Sequence, residues 1–65
     1  MDSVIQIEIL LNYLNDLFAK SVAFNDIKAM EELNVLRHQI YYGTFDYHSM
    51  IQKLQDLDQV LKKYV

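Results

Sequence analysis

Two histidines and an aspartate lie close together around the single glycine of the chain. His38, Asp46 and His48 carry the imidazole and carboxylate groups that proteins use to bind zinc and to catalyse proton transfer. The chain has no cysteine to complete a zinc site, and no spacing suggests a nucleophile with its base or a glycine-rich phosphate loop. Both histidines fall in polar sectors of helices. We therefore expect them to be exposed, and we predict no metal, no cofactor and no enzymatic activity.

A second candidate site consists of two charged residues placed among apolar ones. On a helical wheel, Arg37 falls near Leu33, and Asp58 falls near Leu54. Charged side chains are rarely buried unless they are paired. The sequence therefore predicts that Arg37 and Asp58 form a partly covered polar pair between two helices. Two alternatives remain: the charges lie at the margin of the core with their apolar stems packed on it, or they are held for contact with a partner protein.

The stretch KLQDLDQVLKKY contains a short motif of known type. Gln55, Leu57 and Asp58 match the S-Q-E-L-D signature, while Asp56 replaces its glutamate and Leu54 its serine. The motif resembles that of the small sporulation aspartyl-phosphatases, two-helix proteins that dephosphorylate a response regulator. The resemblance implies that Asp58 would be the functional residue. An aspartyl-phosphate phosphatase-like regulator of two-component signalling, centred on Asp58, is thus the alternative functional hypothesis.

The elements that would position these residues are helical. The chain has no proline and one glycine, and its leucines and isoleucines recur at steps of three and four residues. We predict three amphipathic helices at about 3–22, 26–42 and 46–64. With short connections they would form an all-α domain over 1–65, either a small three-helix antiparallel bundle or an open three-helix arrangement.

Capping residues mark the ends of these predicted helices. Ser3 with Gln6 matches a capping box at the first helix, and Asn25 or Asp26 can cap the second. Gly43 stands where a helix end favours a left-handed residue, and Asp46 can cap the third helix. The stretch YYGTFDYHSM is therefore predicted to be a helix end, a turn and a helix start.

Several apolar residues lie outside the three predicted core faces. Ile5, Ile9 and Tyr13 form a second stripe on the first helix, on the side that carries its polar residues. Val35 and Tyr42 fall on the charged side of the second helix. A second apolar face has no use within a three-helix bundle, and such faces mark interfaces. We predict that these five residues form a partner or oligomer interface. The alternative for the stripe on the first helix is that the third helix wraps far enough to cover it.

Length and charge limit the possible functions further. A chain of 65 residues is marginally stable alone, and without cysteine it cannot use disulfides, so we expect a homodimer. The net charge of −3 and the lack of a basic stripe disfavour nucleic-acid binding. The apolar stretch at 4–14 is too short and too interrupted for a membrane span. Its flank, Met1-Asp2, lacks the positive charge of a signal peptide, and no cleavage site of small residues follows it. We predict a cytoplasmic, non-enzymatic interaction module that acts as a regulator or adaptor in a bacterium or phage.

Overall fold

Three helices form the chain, in the order that the sequence predicts. The computed structural model describes the backbone of residues 2–65 and the side chains of residues 4–65. The helices are α1 (Asp2–Ala23), α2 (Ile27–Tyr41) and α3 (Tyr47–Leu61), and a 3₁₀ turn (Lys62–Tyr64) continues α3. The predicted all-α fold is confirmed. The predicted third helix ends in this 3₁₀ turn, and the predicted capping box at Ser3 lies outside the described side chains.

Both turns between helices use the same backbone geometry. Asn25 after α1 and Gly43 after α2 have positive φ angles of 56° and 70°. The amide of Asp26 donates to the carbonyl of Ser21 at 2.9 Å, and the amide of Thr44 donates to the carbonyl of Gln39 at 3.0 Å. These are Schellman motifs, in which one left-handed residue ends the helix and satisfies its last carbonyls. The chain therefore reverses direction over a few residues at each turn.

The helices that follow the turns are capped by aspartates. Asp26 accepts a hydrogen bond from the amide of Ala29 at 3.1 Å, and Asp46 accepts one from the amide of Ser49 at 3.0 Å. The hydrogen bond from Ser49 lowers the pKa of Asp46. The sequence left open whether Asn25 or Asp26 caps α2. The structure assigns the two residues different roles, because Asn25 ends α1 and Asp26 begins α2.

The hydrophobic core lies between α1 and the other two helices. Both α2 and α3 pack against α1, but they make few contacts with each other. Buried side chains of all three helices share one core, in agreement with the predicted small three-helix arrangement. The buried apolar residues come from all three helices: Leu10, Leu14, Leu17, Ala29, Leu33, Leu36, Ile40, Met50, Leu54, Leu57 and Leu61.

Replacement of Gly43 by alanine tests the second turn. A β-carbon at this position would have no atom within 4 Å, so the substitution creates no clash. Its cost comes only from the left-handed backbone, which disfavours a β-carbon. We expect Gly43→Ala to lower the free energy of unfolding by about 1 kcal/mol in urea titrations followed by circular dichroism. An unchanged midpoint would show that the turn adopts another conformation in solution.

Candidate functional site

An open groove runs between α2 and α3 on the side away from α1. Its volume is about 410 Å³. The residues that line it, four from each helix, are Glu32, Val35, Leu36, Gln39, Lys53, Asp56, Leu57 and Val60. A second hollow of about 170 Å³ continues the groove toward Asp26, Lys28 and Lys63, and shares Glu32, Leu57 and Val60 with the first. The groove lies between the flanks of α2 and α3, above the buried side chains of Leu36 and Leu57.

The floor of the groove is apolar, and its walls carry both apolar and polar or charged residues. Leu36 and Leu57 lie at its base and are almost fully buried, whereas Val35 and Val60 are 58% and 46% exposed. These four residues form a continuous apolar strip between two helices. Such a strip, bordered by charged residues, has the shape and chemistry that receives the apolar face of another helix.

The five predicted interface residues divide between two surfaces. Val35 lines the groove, and Tyr42 is exposed two helical turns further along the same side of α2. Ile5 and Ile9 lie on α1, are 58% and 44% exposed, and do not line the groove. A single contact area therefore cannot contain all five residues.

Tyr13, the third residue of the predicted α1 stripe, is engaged within the chain. Its hydroxyl donates a hydrogen bond of 2.8 Å to Asp58 Oδ2 on α3, and its ring packs against the core. Lys20 Nζ lies 3.8 Å from the other carboxylate oxygen of Asp58. Burial, followed by the hydrogen bond and the charge of Asp58, raises the pKa of Tyr13 to about 12. Tyr13, Lys20 and Asp58 therefore join α1 to α3.

Arg37 and Asp58 do not form the polar pair that the sequence predicts. Arg37 Nη2 donates to Asn15 Oδ1 at 3.2 Å, and the guanidinium lies 5.0 Å from the ring centroid of Phe18. These contacts are with α1, as are the contacts that Asp58 makes with Tyr13 and Lys20. The two charges lie on opposite flanks of α1, because α2 and α3 pack on different sides of that helix. Each charge is partnered, but not by the other.

A polar cluster that the sequence analysis missed closes one end of the helices. The hydroxyl of Tyr64 donates a 2.7 Å hydrogen bond to Asp26 Oδ2, and Lys63 Nζ lies 4.0 Å from the same oxygen. The Tyr64 ring stacks on Phe24 with centroids 4.8 Å apart. The hydrogen bond from Tyr64, followed by the one from the Ala29 amide, lowers the pKa of Asp26. The 3₁₀ turn is thus held against the α1–α2 turn.

The histidines do not form a site with Asp46. His38 and His48 are both exposed, and their described ring contacts are with tyrosines. Within residues 4–65, no three histidine or acidic side chains are grouped closely enough to hold a metal ion. Over the same part of the chain, none of the helices combines the length and apolar content that a membrane span requires.

The hydrogen bond between Tyr13 and Asp58 makes stability depend on alkaline pH. Tyrosine titrates near pH 10 in the unfolded chain and near 12 in the folded protein. Between these values the unfolded state loses its proton first, so the stabilising contribution is present below pH 10 and is lost as the pH rises toward 12. At neutral pH, we expect Tyr13→Phe to cost about 1 kcal/mol. This difference from the wild type should shrink above pH 10.

Urea titrations of both proteins at neutral and alkaline pH would measure this difference. Tyr42→Phe is the matched control, because Tyr42 is exposed and forms none of the side-chain hydrogen bonds described for residues 4–65. A difference between wild type and Tyr13→Phe that stays constant as the pH rises would contradict this account of the contact.

The chain matches no protein-family model, no curated protein and no solved structure. The assignment of a site therefore rests on the geometry of this molecule. Lys53, Asp56 and Val60 lie at steps of three and four beside the core residues of α3, a signal that could have marked one wall of the groove. The sequence alone could not show that this side of α3 would border an open groove next to α2.

Proposed function

We propose that the chain is a small, non-enzymatic protein–protein interaction module that binds a helix of a partner protein in the α2/α3 groove. It would act as a regulator or adaptor in the cytoplasm of a bacterium or phage host. The observation that carries this proposal is the apolar strip formed by Val35, Leu36, Leu57 and Val60, which no other part of the described chain covers.

A helix laid along this strip would complete a four-helix arrangement. Helices in such bundles pack through residues at steps of three and four, and the residues that line each wall of the groove have this spacing. Covering the exposed halves of Val35 and Val60 would contribute about 1 kcal/mol for each side chain. The buried leucines at the floor would gain close packing contacts with the incoming helix. The groove is therefore suited to binding a helix rather than a small polar substrate.

The α1 stripe supports a second contact, between two copies of the chain. Ile5 and Ile9 are exposed one helical turn apart on a helix whose opposite face is already buried in the core. We propose that this stripe, reduced to Ile5 and Ile9, forms a homodimer around a two-fold axis. The groove lies elsewhere and would stay open in that dimer, as an adaptor requires.

Asp58 carries the alternative function, a phosphatase-like regulator of two-component signalling. It borders a hollow of about 90 Å³ together with Lys20 and Lys62, which supply positive charge for a phosphoryl group. Both of its carboxylate oxygens, however, have partners on α1. The alternative requires the chain to release phosphate from an acyl-phosphate response regulator, and requires Asp58→Asn to abolish that release.

Comparative affinity isolation tests the proposed module. Val35→Asp with Val60→Asp places charge on the apolar strip, whereas Val22→Asp with Ile27→Asp makes the same change at exposed positions outside the groove. We expect a partner protein to be recovered with the wild type and the control but lost with the groove variant, while all three stay helical. Recovery of the same proteins with all three would contradict the proposal.

A further inference from the structure

The walls of the groove carry two acidic residues, one on each helix. Glu32 comes from α2 and Asp56 from α3, and both line the same hollow. The ion pairs found among residues 4–65 are Lys20 with Asp58 and Lys63 with Asp26, so neither Glu32 nor Asp56 is neutralised by a cation within 4 Å. Asp56 Oδ1 accepts a hydrogen bond of 3.0 Å from the side-chain amide of Gln52, and this neutral donor leaves the negative charge of Asp56 in place. The middle of the groove is therefore negative on both sides of its apolar strip.

Positive charge lies toward the two ends of the groove instead. Lys53 stands one helical turn from Asp56, in the direction of Gln39. Lys28 and Lys63 line the hollow at the other end, next to Asp26. The groove thus alternates from basic to acidic to basic along its length. This order selects among helices that share the same apolar face, since like charges across an interface are unfavourable.

We infer that the groove binds an amphipathic helix of a partner protein whose apolar stripe is flanked at its middle, on both sides, by arginine or lysine. This inference rests on the proposed function of the groove. Cations on both flanks would pair with Glu32 and Asp56 while the apolar stripe covers Val35 and Val60. Arginine suits these positions best, because its planar fork binds carboxylates through two hydrogen bonds.

A second copy of this chain fits the groove less well. One exposed apolar stripe that a second copy could offer is on α1, at Ile5 and Ile9. The residues around that stripe include Glu8 and Asp16 and no lysine or arginine. Laid in the groove, they would place acids near Glu32 and Asp56. The order of charges along the groove therefore favours a partner helix with basic residues beside its apolar stripe.

Two synthetic helices provide the probes for this inference. Both have about 18 residues, or five turns, and the same leucine stripe; one carries arginine at the middle flanks and the other glutamate. We expect the arginine peptide to shift the amide resonances of Val35 and Val60 in the isotope-labelled protein. We expect the glutamate peptide to bind at least about tenfold more weakly, from two opposed charge pairs.

Matched neutral variants separate the groove from the overall charge of the protein. Glu32→Gln with Asp56→Asn removes the two groove carboxylates, and Glu8→Gln with Asp16→Asn removes two exposed carboxylates on α1. Both double variants change the net charge equally. We expect the groove variant to bind the arginine peptide about tenfold more weakly and the α1 variant to bind it almost like the wild type.

Three outcomes would overturn the inference. Equal binding of the arginine and glutamate peptides in the groove would remove the role of charge and leave the proposed helix-binding function intact. Equal weakening by both neutral variants would show attraction to net charge alone. Resonances of Val35 and Val60 that shift when the protein is concentrated without peptide would assign the groove to a second copy. The proposed function itself is tested separately by the affinity isolation, and it fails there if the groove variant recovers the same proteins as the wild type.

Discussion

Exchange of Ile5 and Ile9 for aspartate is expected to convert a homodimer into folded monomers. The wild type should sediment at twice the chain mass at micromolar concentration, and the double variant at the chain mass. Two isoleucines from each copy would lose their burial, at about 1 kcal/mol for each half-exposed side chain. The four introduced carboxylates would also face one another. Together these effects should raise the dimer dissociation constant by about a thousandfold or more.

The outcome depends on keeping the fold intact, which the structure allows. Ile5 and Ile9 are exposed on α1, so charged side chains at these positions reach solvent in the monomer. Val22→Asp with Ile27→Asp is the control, with two exposed apolar residues changed outside the stripe. It should remain dimeric. A wild type that stays monomeric at high micromolar concentration would rule out the dimer and leave the groove proposal untouched.

Replacement of Leu14 by alanine is expected to have the largest effect on stability. Leu14 is completely buried in the middle of α1, the helix against which both α2 and α3 pack. Leucine-to-alanine changes at such positions cost about 2–5 kcal/mol, because the surrounding residues fill the cavity only partly. A domain of this size has a total stability of roughly 3–10 kcal/mol. The variant should therefore be partly or wholly unfolded at room temperature.

Urea titration followed by circular dichroism measures this effect. Val22→Ala is the matched control on the same helix, where more than half of the side chain is exposed, and should cost less than about 0.5 kcal/mol. A loss below about 1 kcal/mol for Leu14→Ala would show that α1 is not the helix on which the core is built.

The helices and their ends could be predicted from the sequence because their causes are local. The steps of three and four in the leucine pattern identify the buried face of a helix without reference to the rest of the chain. Gly43 and Asp46 act through the backbone of their own turn, which is why their roles were predictable. The role of Asn25 was less predictable, since asparagine can either cap a helix or adopt the left-handed conformation that ends one.

The partners of the charged residues could not be predicted because they depend on how the three helices are arranged around one another. Arg37 and Asp58 were both placed correctly at the margin of an apolar face. The pairing between them was wrong, because each charge meets its partners on a flank of α1: Asn15 and Phe18 for Arg37, and Tyr13 and Lys20 for Asp58. The contact of Tyr64 with Asp26 joins residues far apart in sequence, and no local pattern indicates it.

The groove could not be predicted from the sequence for the same reason. Its walls are the flanks of two helices that the sequence shows only as mixed polar and apolar positions, such as Val35 and Lys53. Whether such a flank is buried, paired or open is decided by the distance between α2 and α3. Their separation leaves an apolar strip without cover, and the strip is what suggests a partner helix.

Site-specific photocrosslinking in the cells that make the protein tests the helix-binding groove most directly. A photoreactive residue at Gln39, in the wall of the groove, is compared with one at Asn12, an exposed position on α1. The account predicts a discrete adduct with a partner protein from Gln39, none from Asn12, and loss of that adduct when Val35→Asp and Val60→Asp are added. The same products from both positions, or no adduct from Gln39, would contradict it.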